Sequence, residues 1–279
     1  MNKIGSSETT RAACLNMHNL FSTINTKVSK KNLNYKIHFS YWLAGLIDCD
    51  VYLGVSKKNY TSCEITVGEK QLNLLTIVKK RLGGKITTRK NVKAYRWRLH
   101  NKKGMETLVH TINGKLLLDS KKIQLQKLCK VLNIKYKYET LFSIDNYWLA
   151  GFYEAEGYFH INSYNLQCNI TCGQKTPDLL EKMQFFLGGN VYYDKSSQGY
   201  LYTASSIESL HNWFTYFNKF PLKSCQNIDL VRFKRILLFK QRKYHLSTTE
   251  NGKYKIRFFK LLEFFKSRSV ESSFISKKI

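Results

Sequence analysis

The sequence predicts an α+β protein of tandem duplicated αββαββα halves, each with an antiparallel sheet, related by a pseudo-two-fold axis. Three observations carry this. The segment Tyr41–Val51, YWLAGLIDCDV, returns 106 positions later as Tyr147–Gly157, YWLAGFYEAEG. The match continues at a spacing of 105, pairing Cys63–Lys70 with Cys168–Lys175, Leu82-Gly83-Gly84 with Leu187-Gly188-Gly189, and Tyr95 with Tyr200. Solenoid units run to about 20–50 residues, so a period this long is a domain. Finally, alternating runs and helical runs follow each motif in the same order.

Each motif reads as a short helix, with Ser40 and Asp145 as its caps. Alternating runs at 52–57 and 61–67, and at 158–163 and 166–172, read as hairpins. A helix follows at Leu72–Leu82 and at Thr176–Leu187, where Thr176-Pro177 supplies a cap and a first-turn proline. A Gly-Gly break leads to a second hairpin, 85–91 with 94–99 and 190–195 with 200–204. Helices near 103–113 and 206–217 come next, then 120–133 and 224–244. The break at 245–255 precedes a last helix near 256–267. The expected organisation is a basic N-terminal arm, 1–35, a first domain, 36–140, a second domain, 141–244, and a C-terminal extension, 245–279. Lys135–Thr140 serves as the charged linker.

Composition narrows the function classes. Lys and Arg number 46 against 19 Asp and Glu, a formal charge of +27, which calls for a polyanionic partner. Hydrophobic residues at 43% exclude wholesale disorder. No apolar run approaches the roughly 18 residues of a membrane span, so no membrane partner is expected. The seven cysteines are scattered without a C-x-x-C pair, which argues for reduced thiols. Lys, Asn, Ile, Phe and Tyr are abundant while Pro occurs twice, the signature of A/T-rich codons. That composition suits an organelle, mitochondrion or chloroplast, with the gene in the organelle's own genome.

The motif itself has chemistry. Ala44-Gly45 and Ala150-Gly151 are small residues in bulky helices, and small residues let two backbones approach. Each helix then ends in acids, Asp48 and Asp50, Glu154 and Glu156. Carboxylates at a helix C-terminus oppose its dipole, and two sets brought together repel unless a cation lies between them. Hard carboxylate oxygens suit Mg²⁺, and paired acids with Mg²⁺ in a basic protein point to phosphodiester hydrolysis.

LAGLIDCDV at Leu43–Val51 and LAGFYEAEG at Leu149–Gly157 resemble the two signature motifs of the LAGLIDADG homing endonucleases of the monomeric two-motif type. The resemblance covers about 35–244. It implies a monomeric pseudo-dimer, a pseudo-symmetric saddle whose antiparallel sheets bind double-stranded DNA. It also implies catalytic metal, Mg²⁺ with Mn²⁺ as a substitute, at the eighth motif positions, Asp50 and Glu156; Cys49 and Ala155 complete the metal set. Asp48 and Glu154 correspond to the family's helix-ending structural acids. Gln174 and Lys121 match the water-ordering groups, whereas Glu69 and Cys225 stand at their counterparts in the other half. Val51 replaces the closing glycine of the motif, a position where φ > 0 would exclude a branched residue.

The sheets supply a reading surface. Tyr95, Trp97 and Leu99 alternate with Arg96 and Arg98, and Lys85, Thr87 and Arg89 share the polar face of the neighbouring strand, the pattern of a β-ribbon in a major groove. The second half offers Tyr158, His160, Asn162, Gln167, Asn169 and Thr171, a less basic face, so a long asymmetric target is expected. Three functions are consistent with this: a site-specific double-strand DNA endonuclease, a group I intron maturase that binds intron RNA, and a non-catalytic DNA-binding regulator on the same fold.

Overall fold

The computed structural model describes residues 34–49, 51–89, 92–138, 141–247 and 252–276, with side chains to 267. The chain divides into two compact units, Met1–Ser40 and Tyr41–Ile279. Of the first unit only 34–40 are described, helical throughout. Ser40 is therefore no cap: its Oγ donates to the Ile37 carbonyl inside a helix, α1, that runs over 34–48. The expected N-terminal arm, 1–35, lies outside the described residues except for its last two, which are helical.

Two lobes fill the second unit. After α1 the first lobe continues with β1 (Tyr52–Val55), β2 (Thr61–Gly68), a 3-10 turn (Glu69–Gln71), α2 (Leu72–Leu82), β3 (Lys85–Thr88), β4 (Ala94–Leu99), α3 (Lys102–Ile112) and α4 (Asp119–Val131). The second repeats it with α5 (Trp148–Glu156), β5 (Gly157–Ile161), β6 (Cys168–Gln174), α6 (Asp178–Leu187), β7 (Asn190–Asp194), β8 (Gly199–Ala204), α7 (Ile207–Lys219) and α8 (Gln226–Gln241). Each lobe is thus αββαββα followed by one further helix. At the second motif helix the N-cap position falls on Tyr147, which makes no side-chain cap; Asn146, one residue upstream, accepts from the Trp148 N–H through Oδ1 at 2.8 Å. Asp145, the expected cap, pairs instead with Lys219 at 2.7 Å. Beyond a 3-10 turn, Tyr244–Leu246, α9 (Lys253–Ser276) is longer than the sequence suggested. It buries Phe258, Leu262 and Phe265, the last with its ring tilted against Phe233 of α8 at 6.2 Å between centroids. No helix among the described residues is long and apolar enough to cross a membrane.

Both sheets are antiparallel and share one topology, β1-β2-β4-β3 and β5-β6-β8-β7. The turn from helix to second hairpin repeats too. Gly84 and Gly189 have φ of +83° and +93°, and a side chain at either would strike a backbone carbonyl of the adjacent strand. An aromatic donor closes each turn: Trp97 Nε1 to the Gly83 carbonyl at 2.8 Å, Tyr202 Oη to the Gly188 carbonyl at 2.7 Å.

The registers correct the sequence alignment of the halves. Tyr52–Glu64–Arg98–Lys85 form one row across the first sheet, and Tyr158–Thr171–Thr203–Asn190 form the same row across the second. Glu64 therefore corresponds to Thr171, not to Asn169. The second lobe's first hairpin loop is one residue longer, and it has no 3-10 turn before its helix. The longer loop raises the spacing from 106 (Tyr52 to Tyr158) to 107 (Glu64 to Thr171), and the shorter approach to the helix lowers it to 105, so β6 is displaced by two residues from the later spacing. By the same register Gln174, opposite Tyr200, takes the place of Val67, opposite Tyr95. Glu69 has no counterpart in the second sheet.

The lobes meet at the motif helices. A β-carbon on Gly45 would fall on the Trp148 carbonyl oxygen, and one on Gly151 would fall on the Trp42 carbonyl oxygen. The obstacles are main chain, which cannot swing aside, so the glycines set the distance between α1 and α5. Trp42, Leu43, Ala44, Ile47, Leu149, Ala150 and Phe152 around them are fully buried or nearly so. Overpacking at such a contact costs about 3 kcal/mol or more. We expect Gly45→Ala and Gly151→Ala each to lower the urea midpoint by that equivalent, whereas Gly83→Ala, with open space around it, carries only the positive-φ penalty.

Candidate catalytic interface

Beyond the glycines, each motif helix is locked by the acid at the sixth motif position. Asp48 is 1% exposed and accepts three hydrogen bonds: from Leu117 N at 2.8 Å, Leu118 N at 3.2 Å and the Trp148 indole at 2.9 Å. Glu154, fully buried, accepts the equivalent three: Lys223 N and Ser224 N at 2.5 Å each, and the Trp42 indole at 2.5 Å. Each carboxylate thus ties its own helix end to the loop before its lobe's last repeated helix, and also holds the tryptophan of the opposite lobe. A charge taken from water needs such donors, because leaving it unpaired would cost several kcal/mol. The helix-ending structural role implied for Asp48 and Glu154 has this physical content.

Past the clasp, other side chains converge on the motif ends. Lys121 Nζ donates to the Val51 carbonyl at 2.7 Å, and Gln226 Nε2 donates to the Gly157 carbonyl at 3.0 Å. Gln226, not Cys225, is therefore the second lobe's counterpart of Lys121; the 105 spacing applied strictly would have found it. Gln71 reaches across the interface to the Glu154 carbonyl at 3.2 Å, a contact no sequence pattern announced. Val51 is buried without needing an unusual backbone, since Gly157 in the same position has φ −89°. Glycine serves there for room: a side chain at 157 would collide with the Tyr153 ring. The first lobe has Ile47 at the corresponding place and accommodates valine.

Asp50 lies outside the described residues. Glu156 is half-buried at the end of α5. It lies close enough to the buried Cys172 for its charge to help burial push that thiol up. Gln174 sits at the end of β6, two residues past Cys172 on the same side of the strand. The Cys49 thiol is buried, 3.4 and 3.5 Å from the carbonyls of Gly45 and Phe152, and Ala155 carries only an exposed methyl. Neither side chain can serve as a metal ligand, which leaves their backbone carbonyls. Among the described residues no three His, Cys, Asp or Glu cluster to hold a metal.

The sheet faces fall largely as expected. Trp97 and Leu99 are buried, Arg98 is exposed, and Thr87, Thr88, Arg89, Arg96 and Arg98 line a shallow concavity of about 250 Å³. Lys85, His160 and Gln167 are exposed and Asn169 is half-buried. Two residues depart from expectation. Thr171 is only 4% exposed, beside Tyr158 across the hairpin. Asn162 spends its carbonyl on its own loop, accepting from Tyr164 N at 2.8 Å.

A family model described as LAGLIDADG endonuclease matches residues 43–132 and 149–237, one stretch in each lobe. The chain belongs to the LAGLIDADG endonuclease family. It is 35% identical over 231 residues to the intron-encoded RNA maturase bI4 of Saccharomyces cerevisiae, covering 77% of this chain and 36% of that protein. It is 32% identical over 261 residues to the probable intron-encoded endonuclease aI2 of Debaryomyces hansenii, covering 84% of this chain and 39% of that one. The chain therefore spans under two-fifths of the length of these two relatives. Its fold is that of the LAGLIDADG homing endonuclease I-LtrWI, solved bound to target DNA, with a TM-score of 0.60 and 21% identity over 80% of this chain and 96% of that one.

Burial pushes the Asp48 carboxyl up to about 7 from an ordinary 3.8, against the pull of its three N–H donors and the Lys121 ammonium. Burial raises Glu154 in the same direction. Between those two values the folded LAGLIDADG chain keeps a proton that the unfolded chain has released. The contribution is therefore complete at acidic pH and is lost as pH rises through 7. Measured against Asp48→Asn, which cannot ionise, the native chain should lose roughly 4 kcal/mol of stability between about pH 4 and pH 8. A relative gain over that range would mean that the N–H donors outweigh burial.

Proposed function

We propose that this chain is a site-specific double-strand DNA endonuclease that hydrolyses phosphodiesters with divalent metal at a long, asymmetric target. The observation that carries the reading is the reciprocal clasp. It fixes the two motif helices main chain against main chain, and each motif's next acid, Asp50 or Glu156, follows two residues beyond the clasped one. Family membership and the basic concavity on the first sheet support the same reading.

The donor chemistry at the motif ends suits a hard cation. Glu156 supplies a half-buried carboxylate, Asp50 stands at the same motif position in the sequence, and the carbonyls of Cys49 and Ala155 are the adjoining oxygens. Mg²⁺, or Mn²⁺ in its place, would offset phosphate charge and make bound water a better nucleophile. The remaining work belongs to the chain. Lys121 and Gln226 hold the carbonyls that close the two motifs and so fix the acids' backbone. Lys121 also brings a positive charge to the motif end, suited to a phosphate, and Gln174 offers an amide to order water. Arginines and lysines of the sheets would neutralise phosphates, so binding should weaken steeply with salt.

RNA maturation is the second reading, favoured by the relative named an RNA maturase. An organellar setting belongs to both readings, supported by the A/T-rich codon signature and by an intron-encoded relative from cox1 intron 2 of Schizosaccharomyces pombe.

The test is cleavage of the intron-minus insertion site of the chain's own gene. The native chain should cut it in Mg²⁺, and Asp50→Asn/Glu156→Gln should lose cutting by at least about a thousandfold while still binding. Tight binding to intron RNA with no DNA cleavage in Mg²⁺ or Mn²⁺ would favour the maturase. Undiminished cutting by the double variant would remove Asp50 and Glu156 from the chemistry.

A further inference from the structure

One carboxylate stands in the basic field of the first sheet. Glu64 lies in the row Lys85–Arg98–Glu64–Tyr52 and divides its oxygens between two arginines. Oε1 takes Arg98 Nε at 2.9 Å, and Oε2 takes Arg96 Nη1 at 3.3 Å. The three side chains are a quarter to under a half exposed, 26%, 43% and 25% for Glu64, Arg98 and Arg96. Ion pairs this open add little stability. A negative charge on a face that meets phosphates also weakens general attraction to DNA. What the arrangement does supply is orientation. A free arginine loses rotamer freedom when it docks, whereas one already held by its Nε side presents its two terminal nitrogens as a fixed fork. That fork matches the paired O6 and N7 acceptors of guanine. Arg98 is held in this way, and both arginines line the 250 Å³ concavity with Thr87, Thr88 and Arg89.

The second lobe lacks the device. The same row there reads Asn190–Thr203–Thr171–Tyr158, without a charge, and Thr203 is engaged with the Tyr192 hydroxyl at 3.2 Å. Thr171, in the place of Glu64, is buried. The sequence spacing of 105 concealed this, because it set Glu64 opposite Asn169.

We propose that Glu64 is a positioning residue that determines specificity: by holding Arg98 and Arg96 it makes the first lobe demand guanine at a fixed place in its half of the target. The second lobe makes no matching demand. The inference rests on the DNA reading proposed above.

The test selects from a randomised duplex DNA library, using the full chain in the non-cutting Asp50→Asn/Glu156→Gln background. That protein should enrich sequences with an invariant guanine in one half only. Adding Glu64→Gln should reduce the preference for that guanine by about tenfold while affinity for random duplex stays level or rises. Arg98→Lys, which keeps the charge but loses the fork, should lose the same guanine. A residue that merely supported the sheet would weaken random and selected duplexes together, and that result overturns the proposal. So does an unchanged guanine preference in Glu64→Gln. If the parent protein enriches no duplex sequence, the DNA reading itself fails and takes this inference with it.

Discussion

Everything else in the molecule depends on the distance between two main chains. Gly45 and Gly151 bring α1 and α5 together until each helix's backbone lies where the other's side chain would have been. At that separation an indole from one lobe reaches the carboxylate that ends the other lobe's helix. Asp48 and Glu154 then complete their coordination with two backbone N–H groups from their own lobe. Neither lobe satisfies its own buried groups. Removing one indole at the closed interface would leave a buried carboxylate short of a donor, a penalty of about 1–3 kcal/mol. The two-fold relation is thus an accounting of polar groups as well as a packing arrangement.

Within that shared frame the lobes have diverged. The first core is mostly aliphatic, around Leu74, Leu75, Val78, Leu108 and Ile112. The second is built on a chain of rings, with Tyr153, Phe159, Trp213, Phe217 and Phe233 in contact. The exchange of Ile47 and Val51 for Tyr153 and Gly157 shows how divergence stays balanced: a larger side chain on the helix requires a missing one at its end. The sheet surfaces differ as much, with Arg, Lys and Glu on one and Thr, Tyr and Asn on the other. A symmetric interface thus carries two unlike faces, as an asymmetric target would require.

The fold was legible because its strongest signal, the repeat, is carried by residues under the tightest steric demand. Small residues at the helix contact, Gly-Gly at the positive-φ turns and the alternation in β4 each have one physical cause, and α2 runs over Leu72–Leu82 as read. Register was not legible. The resemblance of Cys63–Lys70 to Cys168–Lys175 suggested one spacing, yet a longer loop and a missing 3-10 turn move β6 by two residues without changing its inside-outside parity. Cross-lobe contacts such as Gln71 to Glu154 were also beyond reach, since they depend on how the lobes dock and not on any local pattern. Ser40 and Asp145 failed as caps because each was judged from its own segment: α1 is already helical upstream of Ser40, and at α5 the N-cap falls on Tyr147 while Asp145 pairs with Lys219. Thr171 failed as a surface residue because strand parity gives the face and not what covers it.

The two indole–carboxylate contacts couple the lobes reciprocally, and a pair of double-mutant cycles measures that coupling directly. Trp42→Phe with Glu154→Gln makes one cycle, and Trp148→Phe with Asp48→Asn makes the other, each read by urea unfolding at constant pH. Favourable coupling of about 1–3 kcal/mol is expected in both cycles, as for partners in one buried network. Strict additivity in both would contradict it, since the tryptophan of each lobe would then be packing beside the other lobe's carboxylate without being held by it.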